Sequence, residues 1–149
     1  MLLLHRRNPP NAGEWDGVGG KLEPGEDPDT ACTREVKEET GLDVPSPRLR
    51  AVLIVTVRST GHVWILFLFT ADTPGGTLVA SDEGELAWVP LDQFHTLPVI
   101  PDLPIILPHV FSAREVLVIR SELDTEDAAS RRGMEIVGPS SQAAVLYQR

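Results

Sequence analysis

The sequence predicts a mixed α/β chain, and three observations predict it. A helix is framed over residues 28–40, with Asp27 placed to cap it and Gly41 placed to end it. Two long apolar runs, residues 48–58 and 62–71, are rich in β-branched and aromatic side chains, the composition of strands. Shorter apolar runs at residues 2–4, 86–89, 115–120 and 134–137 read as further strands. With 149 residues and a hydrophobic fraction of 42%, the chain is expected to form one domain, 1–149, with a real core.

Taken in order, residues 2–4 read as a short strand entering a basic loop, His5-Arg6-Arg7. Residues 8–16, NPPNAGEWD, are turn-rich, and Trp15 reads equally as a core residue or a stacking platform. Residues 18–22 are expected to form a short strand. Pro28 suits the first helical position, and Cys32, Val36 and Thr40 give the helix a modest apolar stripe. Residues 48–58 and 62–71, joined by Ser59-Thr60-Gly61, predict an antiparallel hairpin whose second arm is a buried central strand. Residues 72–76 read as a turn and 77–81 as a brief edge strand. The acidic loop 82–85 leads into the strand at 86–89. Four prolines fall between residues 97 and 108, yet a helix is expected from Asp102 or Leu103 to Phe111. Residues 123–132 read as helix or loop, and residues beyond 138 carry no structural signal.

The net charge of −9 argues against nonspecific binding to nucleic acid or to an anionic membrane, both of which need basic patches. The single cysteine, Cys32, has no internal partner and reads as a small core residue. No segment has the length and apolarity of a membrane span or a leader, so a cytoplasmic protein is the expectation.

The informative feature is the crowding of Glu35, Glu38 and Glu39 onto one narrow arc of the predicted helix. Glu35 and Glu39 are like charges at i,i+4, an arrangement that costs roughly 0.2–0.5 kcal/mol. Helix stability does not ask for that arrangement, whereas a hard divalent cation does. Oxygen-only ligands suit Mg²⁺, with Mn²⁺ as the alternative. His5, His62, His95 and His109 are too scattered to suggest zinc. A cation held by carboxylates pairs naturally with phosphates.

These residues sit in a longer pattern. Gly20, five residues, Glu26, seven residues and then Arg34-Glu35-Val36-Lys37-Glu38-Glu39-Thr40-Gly41-Leu42 resembles the Nudix box at every defining position. The resemblance implies an α/β/α sandwich with a central mixed sheet, and hydrolysis of a nucleoside diphosphate linked to another moiety. It implies that Glu35, Glu38, Glu39 and the Gly19 carbonyl hold the metal, with a further glutamate from the acidic loop, for which Glu83 is preferred to Glu85. Glu38 and Glu35 become catalytic, with Arg34 orienting a box glutamate and Glu26 supporting the loop and helix.

The run Trp15-Asp16-Gly17-Val18-Gly19-Gly20-Lys21 is similar to that of MutT-like enzymes that sanitise oxidised purine nucleoside triphosphates. The resemblance implies substrate contacts from Arg6, Asp16, Gly19, Gly20 and Lys21, and from Asp102 at the purine edge, where helix N-capping is an equal reading. Asp16 departs from the pattern, which has asparagine there; an ionised carboxylate accepts hydrogen bonds and donates none. The implied reaction is Mg²⁺-dependent hydrolysis of a purine triphosphate to monophosphate and pyrophosphate. The alternatives are another nucleotide conjugate, such as ADP-ribose or a dinucleoside polyphosphate, and a non-catalytic nucleotide-sensing module. The implied partner is a small nucleotide, with neither nucleic-acid polymer nor membrane. The oligomeric state is left open, with a homodimer among the alternatives.

Overall fold

The structure is a computed structural model that describes residues 1–73, 75–79 and 81–138, and the backbone of Ala144–Gln148. Its elements, in chain order, are β1 (Leu2–Arg6), β2 (Trp15–Asp16), α1 (Pro28–Thr40), β3 (Arg48–Val57), β4 (Val63–Thr70), β5 (Gly84–Trp88), α2 (Leu103–Ser112), β6 (Leu117–Leu123), β7 (Arg131–Ile136) and β8 (Ala144–Gln148). Short 3₁₀ turns occupy Phe94–Thr96 and Ala128–Ser130. The chain divides into two compact units, Met1–Arg48 with Thr70–Ile100, and Leu49–Phe69 with Pro101–Arg149. No helix among the described residues is long and apolar enough to cross a membrane.

The first unit holds a three-stranded antiparallel sheet in the order β2-β1-β5. Its centre is β1, whose Leu3 and Leu4 are buried. In α1 the expected caps form. Asp27 accepts from the Thr30 N–H at 2.9 Å, which satisfies one of the orphan donors of the first turn. Gly41 takes the left-handed conformation, φ 76°, and its N–H donates to the Lys37 carbonyl at 2.9 Å. Burial on α1 differs from the expected stripe: Ala31 and Thr40 are buried, while Cys32 and Val36 are half-buried. The Thr40 hydroxyl donates to the Val36 carbonyl and accepts from the Leu42 N–H, so its burial is satisfied.

The second unit holds a five-stranded sheet in the order β4-β3-β6-β7-β8. It is mixed: β3 and β6 are parallel, from Ala51↔Leu117 to Val57↔Leu123, while β7 runs antiparallel to both β6 and β8. Alternate residues of β3, Ala51, Leu53 and Val55, join Ile106 and Val110 of α2, Ile119, Leu123 and Met134 in one apolar cluster. α2 tolerates Pro108 in its interior, and Arg50 donates to the Val110 and Ala113 carbonyls at its end (2.8 and 2.6 Å).

Several expectations are corrected. β4 is an edge strand, not a central one, with Val63, Ile65 and Leu66 exposed. An apolar run on both faces reads as buried, but strand order comes from tertiary pairing. Residues 18–22 form no strand, because the Gly19 and Lys21 N–H groups go to carboxylates of α1. Residues 77–79 are not a strand either; the Val79 N–H donates to the Thr40 carbonyl, and Ala80 of that expectation lies outside the described residues. β6 begins two residues later than expected and runs on to Leu123. Asp102 makes no side-chain cap on α2. The pairing of β8, a segment without sequence signal, extends the sheet beyond β7.

Candidate active site

All but one of the candidate catalytic, metal-holding and substrate-binding residues fall in the first unit. The exception is Asp102 in the second unit, whose carboxylate forms an ion pair with the buried guanidinium of Arg131.

The site is built by laying the loop at residues 17–26 against α1. Glu26 grips Arg34 with both oxygens, at 2.9 Å to Nε and 2.9 Å to Nη2, a fork-to-fork pair. The Arg34 Nη2 also donates to the Lys21 carbonyl at 3.0 Å. Its Nη1 lies between Glu35 Oε1 at 2.9 Å and Glu38 Oε2 at 3.2 Å. One guanidinium therefore ties loop to helix and fixes two of the three crowded acids. The Arg34 side chain holds the Glu26 carboxyl below its ordinary range, and the carboxylates hold the Arg34 proton more firmly.

The backbone fixes the acids from the other side. The Lys21 N–H donates to Glu35 Oε1 and the Gly19 N–H to Glu39 Oε2, each at 3.1 Å. A Cβ on Gly20 between them would meet the Glu35 carboxyl group, which would have to swing away from the Lys21 N–H to make room. The sequence could show that glycine stood there but not which donor met which acid, because a backbone N–H carries no residue signature.

Glu39 is the strained member. Burial pushes its carboxyl up to about 7, with the charges of Glu35 and Glu83 adding to the effect and the Gly19 N–H and Arg6 opposing it. The acidic loop is pinned near the end of β1 by the Arg7 N–H, which donates to the Glu83 carbonyl at 3.0 Å. Asp16 accepts from the Gly17 N–H at 2.6 Å and lies 3.8 Å from Arg6 Nη1; burial raises its carboxyl above the ordinary value. Trp15 is half-buried and stacks on His5, with centroids 4.9 Å apart. Nothing in the sequence points to this partnership, since the two residues lie ten positions apart.

As a donor set, Glu35, Glu38, Glu39, Glu83 and the Gly19 carbonyl suit a hard dication. As they stand, no three His, Cys, Asp or Glu side chains among the described residues are close enough together to hold one. Glu35 and Glu38 are turned onto Arg34, and Glu39 onto Gly19. The group that fits a cation best is the Glu39 carboxyl, which other carboxylates crowd and which only Arg6 and one N–H oppose.

A family model, the NUDIX domain, matches residues 1–110. The chain belongs to the Nudix family. Among its Nudix relatives, YvcI of Bacillus subtilis is 35% identical over 105 residues, covering 68% of this chain and 65% of that one. An oxidised purine nucleoside triphosphate hydrolase of Mus musculus is 31% identical over 112 residues, again covering 68% and 65%. An ADP-ribose pyrophosphatase of Methanocaldococcus jannaschii is 36% identical over 107 residues, covering 69% and 58%. The match thus spans 58% to 65% of each relative's length. Among solved structures, a MutT protein from Bacillus halodurans superposes with a TM-score of 0.77 at 30% identity, covering 91% of this chain and 88% of that one. The mixed α/β class expected from the sequence is that of the MutT-like Nudix fold.

Proposed function

We propose that this Nudix chain is a Mg²⁺-dependent pyrophosphohydrolase of a purine nucleoside triphosphate, an oxidised one included, releasing monophosphate and pyrophosphate. The observation that carries the proposal is the Glu39 carboxyl, half-buried beside the Gly19 N–H and crowded by Glu35 and Glu83. That crowding costs free energy which a dication would offset, and the adjoining Trp15–Lys21 run is MutT-like. The resemblance to a purine triphosphate hydrolase supports the substrate class.

In this reading Glu35, Glu38, Glu39, Glu83 and the Gly19 carbonyl would hold Mg²⁺, which when bound would neutralise phosphate charge and activate water. Arg34 presents Glu35 and Glu38, and Glu26 holds Arg34 in place. Glu35 and Glu38 orient or deprotonate the attacking water. Arg6, Lys21 and the Gly19–Gly20 backbone face the polyphosphate, while Asp16 serves base recognition.

A second reading, hydrolysis of a nucleoside diphosphate conjugate such as ADP-ribose, is favoured by the pyrophosphatase relative. A substrate panel at fixed Mg²⁺ separates the two. It would compare canonical and oxidised purine triphosphates, ADP-ribose and a dinucleoside polyphosphate, with pyrophosphate and phosphate readouts. Pyrophosphate release from a triphosphate is expected. Turnover of ADP-ribose alone would transfer the assignment to the second reading, and tight nucleotide binding without product would make the chain a sensor.

A further inference from the structure

The turn that carries Glu83 is seated on β1 by one glycine. Ser81 and Gly84 form an isolated antiparallel bridge, so Asp82 and Glu83 stand at the tip of a tight turn, both exposed. Gly84 then opens β5 opposite Arg6. The Arg7 N–H donates to the Glu83 carbonyl at 3.0 Å. Alternation along the ladder makes Arg6 and Gly84 a non-hydrogen-bonded pair, the kind in which two antiparallel strands come closest.

Gly84 is buried, and a Cβ on it would fall on the His5 carbonyl oxygen, 2.8 Å from the carbonyl carbon and 3.1 Å from Leu4 Cδ1. The residue is not in the left-handed conformation, so the constraint is the neighbouring backbone and not its own dihedral angles. Gly20 differs in kind, because a Cβ there meets the end of a flexible glutamate. At Gly84 the obstacle is the main chain of β1, which is paired on both sides and anchored by buried Leu3 and Leu4. The exposed turn is the part that must give way.

The seat of the turn matters to the acids of α1. The charge of Glu83 acts on the Glu39 carboxyl, and that of Arg6 acts on it in the opposite sense, so the turn and the end of β1 stand together near Glu39. Resting on the metal assignment proposed above, we infer that Gly84 is a positioning residue of the hydrolytic site: its missing side chain lets the Ser81–Gly84 turn dock on β1 and hold Glu83 beside Glu39. A side chain at position 84 would lift the turn off His5, break the Arg7–Glu83 hydrogen bond and carry Glu83 away from Glu39. Glu35 and Glu38, held by Arg34, would stay in place.

Titration of the full chain with Mn²⁺ alone, followed by the electron paramagnetic resonance of the free ion, tests the inference. Gly84→Ala should weaken Mn²⁺ binding by roughly tenfold, the scale of losing a group that orients a metal ligand. In the metal-free protein the Arg7 amide should exchange faster with solvent, read by NMR. Glu83→Gln should weaken Mn²⁺ at least as much, and adding Gly84→Ala to it should cost nothing more, because the acid being aimed is already gone. A glycine with a merely structural role would give additive losses. Arg7→Pro removes the N–H that holds the turn and should bind Mn²⁺ more weakly than Arg7→Ala, which loses the same charge but keeps the N–H. That comparison decides the matter even if Gly84→Ala fails to fold. A folded Gly84→Ala that holds Mn²⁺ like wild type would overturn the inference, as would additive losses or equal affinities for the two Arg7 variants. If Glu83→Gln alone weakens binding, this inference fails and the metal assignment stands; if Glu83→Gln has no effect, Glu83 leaves the metal set and the inference goes with it. No substrate is present, so the outcome is independent of the substrate assignment.

Discussion

The loop–α1 region of the first unit and the β3–α2–β6 cluster of the second are held together by different physics. In the cluster, Ala51, Leu53, Val55, Ile106, Val110 and Ile119 are nearly or wholly buried and make apolar contacts. Burial there is favourable residue by residue, roughly 25 cal/mol per Å². In the loop–α1 region the close contacts are polar. Arg34 ties Glu26, Glu35 and Glu38 together, while Glu39 accepts from the Gly19 N–H and is held where its charge is disfavoured. The contrast teaches that one region spends free energy on placing charge while the other supplies it.

Substitutions should therefore separate activity from stability. The largest effect is expected from Glu38→Gln and Glu39→Gln. Each should cut Mg²⁺-dependent turnover by on the order of 100-fold or more, since even outer-shell partners of a metal cost about 10–100-fold. The melting temperature of the metal-free protein should not fall. Full activity in both variants would sink the metal assignment. In the cluster the reverse should hold: Ile106→Ala should cost about 2–5 kcal/mol in urea unfolding and leave kcat of the folded fraction unchanged.

Arg34→Lys probes the tie itself. Lysine keeps the charge but cannot fork onto Glu26 while reaching Glu35 and Glu38, so kcat should drop by roughly tenfold with little change in KM. An unchanged kcat would mean the acids are placed without it.

The smallest effect is on pH dependence. Glu39 titrates near 4.5 when unfolded and at about 7 when folded. A raised folded pKa means stability that is complete below about 4.5 and is lost as pH rises through about 7. The metal-free protein should thus weaken between about pH 4.5 and 7 by roughly 1–2 kcal/mol, after discounting for the solvent around this half-exposed group. Glu39→Gln should flatten that slope. Asp16, also raised, acts in the same direction, whereas the lowered Glu26 and Asp27 act in more acidic solution, so comparing wild type with Glu39→Gln isolates the Glu39 contribution. A slope identical in the two proteins would show that Glu39 ionises normally.

Much of α1 was legible before any coordinates. Asp27, Pro28 and Gly41 act within a turn of their own positions, and the Arg34–Glu38 pair is an i,i+4 contact. The family pattern gave Glu26 a supporting role for loop and helix, but only the structure decided that Arg34 is the residue it grips. The edge position of β4 was not legible, because eight residues of this kind have the same composition at an edge as at a centre.

The sequence by itself determined the capped helix, the crowding of three glutamates on one of its faces, the mixed α/β class and the family. All of these depend on residue type and near spacing. Only the tertiary structure decided that the Gly19 and Lys21 N–H groups meet Glu39 and Glu35, that Asp102 pairs with Arg131, and that β4 lies at the edge of its sheet. Backbone donors look alike in every residue, and distant partners are chosen by packing, so neither leaves a mark that composition or periodicity can carry.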